Sequence, residues 1–163
     1  MNLLLTGKPS VGKSTIIKKV VGMIGYDNAN GFWTEEMRIE SQRVGFVIRT
    51  MDGTEAILAH IEERDGPQVG KYGVFIRHID DVIIPALQRA RNSEAIIIID
   101  EIASMELKSP KFAIEVRKCL DTGRVLGTLQ LRKAQFQDEV RSRSDVRIIV
   151  VTLENRNSPC SGC

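Results

Sequence analysis

Apolar positions divide this chain into short segments of alternating kind. Asn2–Thr6 is an apolar run that stops at a glycine, the mark of a short buried strand. Ile16, Ile17, Val20 and Val21 then recur at helical spacing, which predicts a helix over Lys13–Met23, ended by Gly22 and Gly25. Phe32, Trp33 and Thr34 favour extended structure over Gly31–Arg38. Val44, Phe46 and Ile48 alternate along Arg43–Thr50, Asp52-Gly53 supplies a tight turn, and Thr54–Ile61 returns as a partner strand, so a hairpin is expected. Asp80–Asn92 reads as a helix with apolar residues at 83, 84, 87 and 90, and Pro85 lies near its start or kinks it.

Ala95–Asp100 is a continuous apolar run, as in a strand covered on both faces. Ser109-Pro110 gives an N-cap and a proline at the first helical position. The helix they open carries Phe112, Val116, Cys119 and Leu120 on one side and stops at Gly123. Arg124–Leu129 and Val146–Val151 are two further strands, with a helix over Gln135–Arg143 between them. Strands that alternate with helices in this way predict an α/β protein: a mostly parallel sheet, helices on both faces, and an antiparallel hairpin insertion. No internal repeat or linker is visible, so residues 1–157 are expected to form a single domain, with 158–163 a terminal tail.

The strongest chemical signal follows the first strand. Gly7-Lys8-Pro9-Ser10-Val11-Gly12-Lys13-Ser14 matches G-x-x-x-x-G-K-[ST] at every fixed position, between a predicted strand and a predicted helix. The glycines let the backbone turn its N–H groups toward phosphate oxygens, and the helix that follows points its positive end at them. Lys13 would place an ammonium on the β- and γ-phosphates, and Ser14 would offer a hydroxyl to Mg²⁺.

A second signal is Ile96-Ile97-Ile98-Ile99-Asp100-Glu101, a buried strand that ends in two acids. Ligands of open α/β sheets lie beyond the carboxyl ends of the strands. Asp100 is therefore the candidate second ligand for Mg²⁺, and Glu101 the general base that polarises an attacking water. Weaker candidates are Thr128, for the γ-phosphate or its water; Trp33 and Tyr72, for stacking on a base; and an arginine of Arg141-Ser-Arg143, for phosphate. There is no N-K-x-D stretch for guanine selection and no L-S-G-G-Q stretch of a transporter-type ATPase.

Composition narrows the setting. The 163 residues carry 23 Lys+Arg against 21 Asp+Glu, a net charge of +2, which disfavours nucleic acid as a main partner. No segment approaches the roughly 20 apolar residues of a membrane span. Three cysteines, Cys119, Cys160 and Cys163, do not make a disulfide framework, so a cytoplasmic, reducing setting is expected; Cys160-Ser-Gly-Cys163 reads as a terminal tail.

Beyond the phosphate loop, Gly31-Phe-Trp-Thr-Glu-Glu-Met-Arg38, Arg43-Val-Gly-Phe46, Val69-Gly-Lys-Tyr-Gly73, Asp100-Glu-Ile, Met105-Glu-Leu107 and Glu154-Asn-Arg-Asn157 occur in order. With these segments the chain resembles, over residues 1 to 157, the thermophilic-type nucleoside-triphosphatase family, whose animal members are called cancer-related nucleoside-triphosphatase. The resemblance implies a RecA-like P-loop fold and Mg²⁺-dependent hydrolysis of ATP, GTP and other nucleoside triphosphates, with little base selectivity. It implies nucleotide contacts from Gly7, Lys8, Pro9, Ser10, Val11, Gly12, Lys13, Ser14 and Thr15, and from the strand end and turn Ile97, Ile98, Ile99, Asp100, Glu101, Ile102, Ala103 and Ser104.

Three positions depart from that family. Ser10 stands where glycine is usual, so a side chain strains a backbone that glycine adopts freely. Ala103-Ser104 replaces Gly-Lys, which removes a cation. The family continues into a closing helix where this chain ends at Cys163. Two other readings stay open at this point: a P-loop kinase for a small acceptor, and a nucleotide-binding module that hydrolyses weakly.

Overall fold

The structure is a computed structural model that describes residues 1–157. One nine-stranded sheet runs through it in the order β5-β6-β4-β3-β2-β7-β8-β1-β9. The strands are β1 (Asn2–Thr6), β2 (Ala29–Ile39), β3 (Gln42–Thr50), β4 (Glu55–His60), β5 (Gln68–Val69), β6 (Tyr72–Val74), β7 (Ile96–Ile102), β8 (Val125–Leu129) and β9 (Val146–Val150). From β2 to β9 every neighbouring pair is parallel. From β2 outward to β5 every pair is antiparallel.

The α/β expectation holds, and the predicted insertion is larger than a hairpin. β5 and β6 extend it to four strands, each of them too short to leave a periodic pattern. The helices are α1 (Lys13–Ile24), α2 (Ile76–His78), α3 (Ile84–Arg91), α4 (Pro110–Asp121) and α5 (Gln135–Arg141). A π-helical turn over Ile79–Ile83 joins α2 to α3, so the helix predicted from Asp80 begins earlier, at Ile76. Pro85, the second residue of α3, directly follows the π turn, so its missing N–H falls where the helical hydrogen-bond pattern changes.

The sheet is covered on both faces. Ile17 and Val21 of α1 pack on Leu5, Ile98, Leu126 and Ile149. On the other face, α3, α4 and α5 pack Leu87, Phe112, Val116 and Val140 on Leu4, Phe32, Ile48, Leu58, Ile97 and Ile99. The run of isoleucines in β7 thus serves two cores, with Ile98 facing one way and Ile97 and Ile99 the other, as the period of a strand requires. Ser109 precedes α4 as expected but does not cap it with its side chain. Its hydroxyl instead hydrogen-bonds the carboxylate of Asp80, tying the start of α4 to the π turn. No described helix is long and apolar enough to cross a membrane. Cys160 and Cys163 lie outside the described residues.

Candidate active site

The phosphate loop connects β1 to α1 and opens at the carboxyl end of the parallel strands. Its shape rests on its glycines. Gly7 has a φ of 149°, and a side chain there would come within 2.6 Å of the Val151 carbonyl oxygen. Gly12 has a φ of 110° and precedes α1 directly. Ser10 also lies in the left-handed region, at φ 62°. The strain expected from this departure is therefore real, since a residue with a Cβ costs roughly 1–2 kcal/mol there.

Lys13 arches back over the loop. Its Nζ donates to the carbonyl oxygens of Gly7 (2.8 Å) and Lys8 (3.1 Å), which holds the ammonium across the loop mouth. From this mouth a cleft of about 510 Å³ runs toward the antiparallel strands. Pro9, Ser10, Gly12, Lys13, Ser14 and Thr15 line it on one side, and Asp100, Glu101, Ala103 and Ser104 on another. Its far wall comes from residues to which the sequence assigned no role: Glu36, Arg43, Phe46, Val69, Met105 and Glu106.

Not every candidate faces this space. Ile97, Ile98, Ile99 and Ile102 are buried in the two cores, so contacts with a nucleotide cannot come from their side chains. Val11 packs in the core beneath α1, and Gly7 and Lys8 do not line the cleft but hold Lys13 through their carbonyls. Trp33 donates to Glu35 Oε1 and lines a smaller cavity of about 180 Å³ with Tyr26 and Met51, which adjoins the cleft at Glu35 and Asp100. Tyr72 accepts from Arg43 Nε (2.9 Å) and does not line the cleft. Arg141 donates to the carbonyl oxygens of Gln130 and Arg132, and Arg143 to Asp121 and Asp145, so both serve the fold.

Asp100 is 3% exposed. Its Oδ1 accepts the Thr128 hydroxyl at 2.6 Å, so Thr128 holds this carboxylate rather than reaching into the cleft itself. Its Oδ2 has no partner. Burial pushes the Asp100 carboxyl above its ordinary value, while the Thr128 hydrogen bond, the nearby Ser14 hydroxyl and the charge of Lys13 oppose that rise. An orphaned carboxylate oxygen close to a serine hydroxyl is a donor set for a hard cation. The described residues form no cluster of three or more His, Cys, Asp or Glu able to hold a metal unaided. That combination fits Mg²⁺, which keeps several waters and takes one or two protein oxygens with the rest from phosphate.

Glu101 is pushed up to about 7, first by burial, then by the neighbouring Asp100 charge, with Lys13 pulling the other way. Such a carboxylate is a competent proton acceptor near neutral pH. Ser104, where a lysine was expected, lines the cleft, so this departure concerns the site. Its N–H and Oγ both donate to Gln130 Oε1, at 3.1 and 2.9 Å, and Gln137 Nε2 donates to the same oxygen.

The family model for the NTPase family matches residues 2–161. The chain belongs to the NTPase family. It is 42% identical to the nucleoside-triphosphatase THEP1 of a Thermotoga species over 97% of this chain and 90% of the relative. It is 34% identical to the mouse cancer-related nucleoside-triphosphatase homolog, over 96% of this chain and 91% of that one. Among solved structures, THEP1 from Aquifex aeolicus matches with a TM-score of 0.87 at 37% identity, over 97% of this chain and 94% of that one. The human cancer-related nucleoside triphosphatase matches with a TM-score of 0.80 at 35% identity, over 96% and 91% of the two chains. The fold of this NTPase family member is accordingly the P-loop α/β fold. Its phosphate loop and acidic strand end were legible in the linear sequence. The far wall was not, because Arg43, Phe46 and Val69 belong to strands whose pairing only the folded sheet reveals.

Proposed function

We propose that this protein hydrolyses nucleoside triphosphates to the diphosphate and inorganic phosphate with the help of Mg²⁺. The observation that carries this reading is the cleft shared by Lys13, Ser14, Asp100 and Glu101. The loop amides and the positive end of α1 bind the β- and γ-phosphates, and Lys13 exchanges its loop carbonyls for phosphate oxygens. Ser14 and Asp100 hold the metal, with Thr128 fixing the rotamer of Asp100. Mg²⁺, when bound, neutralises charge on the β- and γ-phosphate oxygens.

Glu101 takes a proton from water as the water oxygen bonds to the γ-phosphorus. The bond from that phosphorus to the β,γ-bridging oxygen breaks, and the diphosphate leaves with its electron pair. A cytoplasmic setting fits the buried free thiol of Cys119.

The test is phosphate release from ATP, GTP, CTP and UTP with no acceptor present. Release from all four that stops with EDTA and returns with Mg²⁺ is the expected outcome. Silence without an acceptor, alongside intact nucleotide binding, would replace this reading with a kinase or a binding module.

A further inference from the structure

Gln130 lines the cleft with Lys13, Ser14, Asp100 and Glu101, yet neither the phosphate loop nor the acidic strand end explains it. It follows β8 directly and is held at every polar atom but one. Its N–H donates to the Ile102 carbonyl at 3.0 Å, and its own carbonyl accepts from Arg141 Nη2 at 2.6 Å. Its side-chain Oε1 accepts the Ser104 N–H at 3.1 Å, the Ser104 hydroxyl at 2.9 Å and Gln137 Nε2 at 2.9 Å. A backbone N–H only donates, so Ser104 fixes which end of the Gln130 amide faces the turn after β7. The oxygen faces Ser104, and Nε2 with its two N–H donors faces away. Among the described residues nothing accepts from Nε2. With Oε1 enclosed by donors, the polar end that this half-buried side chain offers the cleft is Nε2.

The order of the sheet says which part of a nucleotide lies there. β8 runs between β7, which carries Asp100 and Glu101 near its end, and β1, which leads into the phosphate loop. A residue just past β8 therefore stands between the acid that addresses the attacking water and the loop that holds the phosphates. We propose that Gln130 is a specificity residue: its Nε2 donates to an oxygen of the γ-phosphate, and the protein thereby distinguishes a triphosphate from a diphosphate. The inference rests on the triphosphate binding in this cleft with its γ-phosphate between Lys13 and Glu101. A diphosphate has no oxygen at that place, so the contact favours substrate over product. The bond is charge-assisted, since its acceptor is an ionised phosphate oxygen. Its donor is fixed before nucleotide arrives, so little ordering cost opposes it.

The test separates this contact from a strut that only braces the turn. Gln130→Glu keeps an acceptor for Ser104 and Gln137 but replaces the free donor with a carboxylate oxygen. Gln130→Met removes both ends of the amide. Affinities for Mg-ADP and for Mg-AMP-PNP, a non-hydrolysable triphosphate analogue, are measured by calorimetry. Loss of a hydrogen bond to a charged group costs about tenfold to a hundredfold in affinity. Both variants should lose that much for AMP-PNP, with the greater loss in Gln130→Glu, where like charges also meet. Affinity for ADP should stay at the parent level. Parent-like AMP-PNP affinity in Gln130→Glu would overturn the proposal. Equal losses for ADP and AMP-PNP would overturn it too, since Gln130 would then only support the site. Should one variant fail to fold, the ratio of the two affinities in the other decides. Neither ligand is hydrolysed, so a failure of the hydrolysis reading would appear in phosphate release and leave these affinities intact.

Discussion

The two halves of this sheet, one parallel and one antiparallel, are used differently. In the parallel half, β7 is buried on both faces and its chemistry is confined to its end, where Asp100 and Glu101 meet the cleft. In the antiparallel half, Ile48, Leu58 and Val74 join the core, and partly exposed ion pairs lie along both faces, Glu35 on one and Glu36 on the other. Glu35 pairs with Lys18 and Arg49, and Glu36 with Arg38 and Arg43. The parallel half concentrates unpaired polar atoms where a substrate can satisfy them. The antiparallel half satisfies its own and lends a wall. Catalysis should therefore be sensitive to single residues in the first half, and stability to core residues in both.

The largest effect expected is on rate. Glu101→Gln keeps size and one acceptor but cannot take a proton, and loss of a general base costs on the order of 10²–10⁴ in kcat. Phosphate release should nearly vanish while Mg-ATP still raises the melting temperature as in the parent. Loss of that shift would make Glu101 a structural or metal-holding residue and blur the contrast between the halves.

Next comes a core truncation in the antiparallel half. Ile48 is fully buried and shares its cluster with Ile97 and Ile99 of β7, so Ile48→Ala should cost about 2–5 kcal/mol. Urea unfolding should show one transition at a lower midpoint. Two separated transitions would mean that the antiparallel strands fold as an independent unit and would break the comparison at its base.

A smaller gain is expected in the loop. Ser10→Gly removes the left-handed strain at φ 62° but frees the unfolded chain, so the net stabilisation should not exceed about 1 kcal/mol. The midpoint of urea unfolding measures it. A loss of stability instead would show that the Ser10 side chain contributes more than its backbone costs.

The smallest effect concerns the ion pairs at the seam. Glu35 is held down to about 2 by the hydrogen bond from Trp33, and further by Lys18 and Arg49. A folded value below the unfolded one of 4.5 means that this stability is complete above about pH 4.5 and is lost as the pH falls toward 2. The Glu35 side chain is 35% exposed, so solvent screening keeps the contribution below about 1 kcal/mol. Urea midpoints from pH 2 to pH 6 should fall less steeply in Glu35→Gln than in the parent. Equal slopes would make the Glu35 ion pairs of the antiparallel strands energetically silent.

The sequence by itself determined the features that depend on neighbours along the chain. A phosphate loop needs glycines, a lysine and a hydroxyl at set intervals, and a strand that is buried on both faces needs an unbroken apolar run. Both are local and survive reading in one dimension, so Gly7 to Ser14 and Asp100-Glu101 were plain before any fold. Only the tertiary structure decided what depends on residues far apart in sequence. Thr128 meets Asp100 across 28 positions, Ser109 turns from its expected helix cap to Asp80 across 29, and Arg43 meets Tyr72 across another 29. Glu106 reads in the sequence as one more acid between Met105 and Leu107. Its burial, with one carboxyl oxygen unpartnered, arises from the packing of the turn after β7, and no spacing rule encodes that. Hydrogen bonds and desolvation act through space, so the carboxyls whose chemistry they set could be found in the sequence but not told apart there.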